Sequence, residues 1–361
     1  MQIHRTAGRA VAALVLGGAT AIAAAAERAP IQKAQPIDKQ NNFSVTILVS
    51  DEQGEAPVLD MNLVNAWGIA RGPTSFWWVA NNGTGTSTLY NGDGTPSPTP
   101  PLIVTVDTNP TGIVFNTSSS FELQPGGKAF FLFVTESGSF LGWNPTTGTT
   151  TVEEPVDPES KYKGLAIHGD VLYTTDFTEC EVEAFVGNFH DHSLHEIPTA
   201  GGFEDDSIPA GFCPFGIQAI GSSIFVTYAK KGGEDDIAGV GNGFVREFDS
   251  NGNLIAKVGS HGTLNSPWGM AMAPDDFGRF SGCLLVGNFG DGKINAFCHN
   301  PAGQWHHAGR LREGAHALAI DGLWGIGFGN GGNAGDEHTL FFAAGPDEEQ
   351  HGYFGKVEFV H

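Results

Sequence analysis

An all-β fold, a six-bladed β-propeller of four-stranded blades, is what this sequence predicts, and three observations predict it. A short glycine-centred motif recurs six times, as Asn65-Ala66-Trp67-Gly68-Ile69-Ala70, Thr111-Gly112-Ile113-Val114, Lys163-Gly164-Leu165-Ala166-Ile167, Pro214-Phe215-Gly216-Ile217, Pro267-Trp268-Gly269-Met270 and Leu323-Trp324-Gly325-Ile326. The shared glycines are 44, 52, 52, 53 and 56 residues apart, and self-similarity at a period near fifty marks a repeat architecture. Each motif is followed by a strongly apolar run and then by a third strand-like run, with Gly, Asn and Asp turns between them. Finally, 51 Gly and 26 Phe in 361 residues, with no convincing amphipathic helical period, leave strands as the only regular element. Two β-sandwiches would not account for the common period.

In chain order, residues 1–26 read as a signal peptide. Arg5 and Arg9 precede an apolar run from Ala10 to Ala25, and Ala24-x-Ala26 is a small-residue cleavage site. The run is too short and too rich in Ala and Gly to span a membrane, and no other segment reaches the length a span needs. Residues 27–41 form a polar, flexible leader, and residues 42–361 the propeller. Residues 42–50 alternate as an isolated strand. In each repeat the motif strand lies innermost, an apolar strand such as Phe130-Phe131-Leu132-Phe133-Val134 is second, and a more polar fourth strand leads onward. The sixth repeat supplies only three strands, so 42–50 is expected to complete it and close the ring without an open edge. Each motif Gly is expected where backbones converge on the axis.

Loss of residues 1–26 removes two Arg and no acid, so the formal net charge goes from −22 to −24. Such a surface repels nucleic acid and anionic lipid and suits solubility, cationic partners or neutral ligands; the signal peptide implies a secreted or periplasmic protein, expected to be a monomer. Four cysteines fit an oxidising compartment. A hairpin about Gly290-Asp291 sets Cys283 opposite Cys298, a cross-strand disulfide. Cys180 and Cys213 then pair, one in the third repeat's second loop and the other at the start of the fourth inner strand.

In a propeller, the loops joining second and third strands share a face with the starts of the inner strands. That face gathers the candidate binding residues Asn81, Asn82, Lys163, Asp176, Lys230, Asn288, Asp291 and His351. Oxygen ligands from several blades would suit an axial Ca²⁺, although Asn and Asp in such loops more commonly cap turns. Glu348, Glu349 and His351 could form an acid/base group if His351 points inward. No H-E-x-x-H, G-x-S-x-G or phosphate loop is present, and no three His converge, which argues against zinc.

Several stretches resemble a secreted, mostly bacterial six-bladed propeller family related to NHL-repeat proteins. They are Asn65-Ala66-Trp67-Gly68, Asn81-Asn82-Gly83-Thr84-Gly85, Tyr162-Lys163-Gly164, Pro214-Phe215-Gly216, Asn265-Ser266-Pro267-Trp268-Gly269, Val286-Gly287-Asn288-Phe289-Gly290-Asp291 and Ala344-Gly345-Pro346. The resemblance implies the propeller and export, and no reaction. The third repeat departs from the pattern at Glu179-Cys180-Glu181, which fits a disulfide role for Cys180. The leading functional expectation is a binding propeller for a small molecule, glycan or peptide. The alternatives are a metal-assisted hydrolase or lyase resembling lactonase and strictosidine-synthase-like propellers, and a structural surface or matrix protein.

Overall fold

Strand content, turn placement and the glycine period resolve into six radial sheets in the computed structural model, which describes residues 40–107 and 109–360. The expected signal peptide and all but the last two residues of the leader lie outside the described residues. Blade 1 sets the pattern: Ala66–Ala70 is innermost, followed outward by Trp77–Asn81, Thr86–Tyr90 and Ile103–Thr105. The other inner strands are Pro110–Phe115, Tyr162–His168, Phe212–Ile220, Pro267–Met272 and Leu323–Phe328. Each packs against the next, and the sixth against the first, so the ring is closed.

Closure is as expected. Phe43–Ser50 pairs antiparallel with Tyr353–Phe359, in a register running from Phe43 opposite Phe359 to Ser50 opposite Tyr353. Blade 6 also carries a fifth strand that the sequence did not reveal. Val58–Leu59 pairs in parallel with Val49 and Ser50, too short to show an alternation of its own. Two small hairpins, Glu122–Lys128 and Arg312–Ala317, are further additions outside the blade plan.

The uninterrupted apolar runs of the second strands have a simple cause. Successive side chains point to opposite faces of a sheet, and here both faces are covered by neighbouring blades. Trp77 packs between blades 6 and 1, with Phe341 and Phe354, while its neighbour Trp78 packs between blades 1 and 2, with Phe131 and Trp143. The same division separates Phe341 from Phe342 and Leu284 from Leu285. Six such interblade layers make up the core. A seventh cluster lies on the axis and contains Trp67, Phe177, Phe215 and Trp324, with Trp268 and Phe289 packed against it.

The motif glycines stand where neighbouring inner strands meet. A Cβ on Gly216 would lie 2.2 Å from the Trp268 carbonyl oxygen, and one on Gly269 would lie 2.3 Å from that of Trp324. Gly68 and Gly112 are equally crowded, against Thr111 O and Leu165 N at 2.4 Å. Close backbone approach accounts for the motif.

Both expected disulfides form. Cys283–Cys298 crosses adjacent strands within blade 5, continuing the register in which Leu284 faces Phe297. Cys180–Cys213 joins blade 3 to blade 4. Among the described residues no helix is long and apolar enough to cross a membrane.

Candidate functional site

The residue before each motif glycine projects to the axis on the side where inner strands begin, here called the front. In blade order these are Trp67, Thr111, Lys163, Phe215, Trp268 and Trp324. Trp67 stacks on Trp324 at 3.7 Å, and Phe289 stacks on Trp324 at 3.8 Å. Trp268 meets Trp67 and Trp324 edge-on, and its indole N–H donates to the Lys163 carbonyl at 3.0 Å. The result is an aromatic septum across the channel.

A cavity of about 490 Å³ opens in front of this septum, with Trp67 on its wall. Much of its polar lining belongs to a hydrogen-bonded arc that crosses five blades, while Lys161 and Glu234, 3.8 Å apart, line it outside that arc. Asn65 Nδ2 donates to Glu349 Oε1 at 3.1 Å and to Asn82 Oδ1 at 3.2 Å. Asn82 Nδ2 donates to Glu136 Oε2 at 3.0 Å. Lys163 Nζ then bridges Glu136 Oε1 at 2.5 Å and Asp235 Oδ1 at 3.0 Å, and lies 5.4 Å over the Trp67 ring. Trp324 Nε1 donates to Asn65 Oδ1, tying the arc to the septum.

Burial alone pushes the Lys163 ammonium down, but Glu136 and Asp235 outweigh it, and the group ends above the ordinary lysine value. Glu349 is pushed up by burial, against the Asn65 hydrogen bond and the Lys163 charge. Its chain segment is unusual. Asp347, Glu348 and Glu349 all have left-handed φ, at 55°, 54° and 67°, which turns Glu349 onto Asn65. Three consecutive non-glycine residues in that region are costly and typical of functional loops.

Lys163→Met is expected to cost about 2–3 kcal/mol. Removing one partner of a buried ion pair costs more when the other stays buried, but the Asp235 side chain is 81% exposed and can rehydrate. A lysine whose folded pKa is raised contributes its stability below the unfolded pKa and loses it as pH rises through the folded one. The difference in melting temperature between wild type and Lys163→Met should therefore be full at pH 7 and shrink only at strongly alkaline pH. Equal melting temperatures at pH 7 would show that the arc does not depend on this ammonium.

Of the residues expected at the site, Asn82 and Lys163 belong to the arc. Asn81 is fully buried and donates to Thr86 and Thr88, fixing the third strand of blade 1. Asp176 accepts from the backbone N–H groups of Lys161, Thr178 and Glu179, and Asn288 binds Thr263 O and Asp291, which also pairs with Lys293 at 2.9 Å. These three are turn residues. Lys230 is exposed and lies outside the cavity lining. His351 pairs with Asp51 at 3.1 Å and approaches Glu52, not Glu348 or Glu349. Asn109, whose Nδ2 reaches Asn82 Oδ1, and the aromatic septum join the site beyond the residues expected from the sequence. The septum's signal was in the sequence, at the position before each motif glycine.

The centre of the acidic arc is filled by the Lys163 ammonium, so these residues do not fit an axial Ca²⁺ at that point. Among the described residues no group of three or more His, Cys, Asp or Glu is placed to hold a metal ion.

Relatives align with most of the chain. Uncharacterized protein R648 of Acanthamoeba polyphaga mimivirus is 32% identical over 329 residues, spanning 87% of this chain and 80% of that protein. Uncharacterized protein L690 of the same virus is 30% identical over 334 residues, spanning 87% and 85%. The chain belongs to their family. Both of these R648/L690 family members are viral, so the bacterial source implied by the sequence resemblance gains no support from them. No family model matches the chain. Among solved structures, the soluble aldose sugar dehydrogenase of Escherichia coli aligns with a TM-score of 0.51 at 14% identity. Virginiamycin B lyase of Staphylococcus aureus aligns at 0.50 and 15%, and each alignment covers 88% of this chain and 100% of the other. At such identities they support the propeller fold of this chain and show nothing about its chemistry.

Proposed function

We propose that the chain is a secreted binding propeller that holds a small molecule, glycan or peptide in the front cavity. The observation that carries this reading is the amide–carboxylate arc lying over an aromatic floor. Ligand sites combine apolar surface with convergent polar groups; here polar groups predominate around Trp67 and Pro158, and about 490 Å³ lies within the usual size range. The arc supports binding over an axial metal-assisted hydrolase or lyase, because its oxygen groups converge on an internal ammonium. Two disulfides are compatible with export.

Three tryptophans in the septum give the test its signal. Neutral oligosaccharides, amino-acid derivatives and short peptides should be titrated while tryptophan emission is followed. One class is expected to shift the emission saturably, and Asn82→Leu should weaken its binding about tenfold, which corresponds to about 1.4 kcal/mol. If no class shifts the emission, or if Asn82→Leu binds as wild type does, the reading is lost.

A further inference from the structure

Behind the septum the channel opens again, with the opposite chemistry. A cavity of about 590 Å³ is formed by the back halves of the inner strands. Ile69, Phe115, Ile167, Ile220, Met272 and Phe328 line it and are only half-buried, so their apolar surface is open to solvent. Leaving such surface wet forgoes about 25 cal/mol per Å². Unbranched Met270 and Met272 can adapt to a flexible occupant.

Arg71 is the one formally charged residue in that lining. Its Nε donates to the Phe328 carbonyl at 2.5 Å, and no ion pair to it is seen among the described residues. Burial lowers its pKa despite the field of Glu337, whose side chain is 67% exposed and lies beside His338. The guanidinium thus sits at the lip of the cup, 5.9 Å over the Trp77 ring, with no hydrogen bond from its terminal N–H groups among the described residues. A second hollow of about 580 Å³ adjoins at Arg71, Pro73, Met272 and Phe328 and continues outward to Asp275 and Glu337. Those two acids face the solvent side, and none lies within the cup.

We propose that the back cavity binds a single-chain anionic amphiphile, with its apolar tail in the channel and its carboxylate on Arg71. Planar guanidinium matches carboxylate in a two-point, charge-assisted contact. The septum fixes how deep the tail can go. This site is separate from the front cavity and stands or falls independently of the reading given for it.

The test is calorimetric titration of the full chain with dodecanoate and, in parallel, dodecyltrimethylammonium, which has the same tail and the opposite head charge. Dodecanoate is expected to bind one per chain and at least tenfold more tightly than the cationic probe, a difference of about 1.4 kcal/mol or more. Arg71→Gln should weaken dodecanoate about tenfold and erase the preference between heads. Gln218 lines the channel and is itself exposed, so Gln218→Trp should block the tail without a change in melting temperature. No binding of dodecanoate, equal affinity for both probes in the wild type, or unaltered dodecanoate affinity in Arg71→Gln would each overturn the proposal.

Discussion

A chain begun at Asp51 is expected to fail to form a stable monomer. The lost strand, Phe43–Ser50, buries Phe43, Leu48 and Val49 almost completely, and Phe43 packs its ring on Phe277 and Phe359. At about 1.5–3 kcal/mol for each such side chain, the apolar loss alone is about 5–9 kcal/mol. That is comparable to the whole stability of an ordinary domain. The truncation would also leave Tyr353–Phe359 as an unpaired edge, an invitation to intermolecular pairing. Size-exclusion chromatography and thermal melts should show aggregation or a broad, early transition. A synthetic peptide covering residues 40–51 is expected to restore the melt when added in excess. A truncated chain melting within a few degrees of wild type would show that blade 6 does not hold the ring shut.

Gly216→Ala is expected to be the most damaging single methyl among the six motif glycines. In a strand, Ala is ordinarily preferred to Gly by about 0.5–1 kcal/mol, so a loss would have to come from contact. Here the new Cβ lies 2.2 Å from Trp268 O, a backbone atom that cannot swing aside. Overpacking of this kind costs about 3 kcal/mol. Gly164 offers the control, since its nearest neighbour is Phe215 O at 3.1 Å, and Gly325 is intermediate at 2.8 Å. Denaturant midpoints should rank the variants Gly216→Ala lowest, then Gly325→Ala, then Gly164→Ala near wild type. Equal midpoints for all three would mean that the blades can slide apart at no cost.

Much of the architecture was written at the level of period and alternation. The glycine spacing gave the number of blades, the apolar runs gave the second strands, and the surplus strand at 42–50 gave the closure. The Cys283–Cys298 pairing followed from a hairpin register. Short elements escaped because two residues, as in Val58–Leu59, carry no pattern. The site was only partly legible. Sequence places Asn81, Asp176, Asn288 and Asp291 on the right face, but whether a short polar side chain satisfies its own turn or faces a cavity depends on one χ angle. Lys230 and Lys163 look equivalent as letters, yet one ends a strand in solvent and the other precedes a motif glycine on the axis. The arc itself joins residues as far apart as Asn65 and Glu349, 284 positions along the chain, and no local pattern can announce such a contact.

The stacked rings of Trp67, Trp324 and Phe289 turn a tunnel into two cups set back to back. A solute taken up on one side can leave only by the route it came, unless the indoles part. If both proposals hold, one particle would carry two unlike cargoes at once, each exchanging with its own side, with Trp67 on the wall of the front cup and Trp77 on that of the back one.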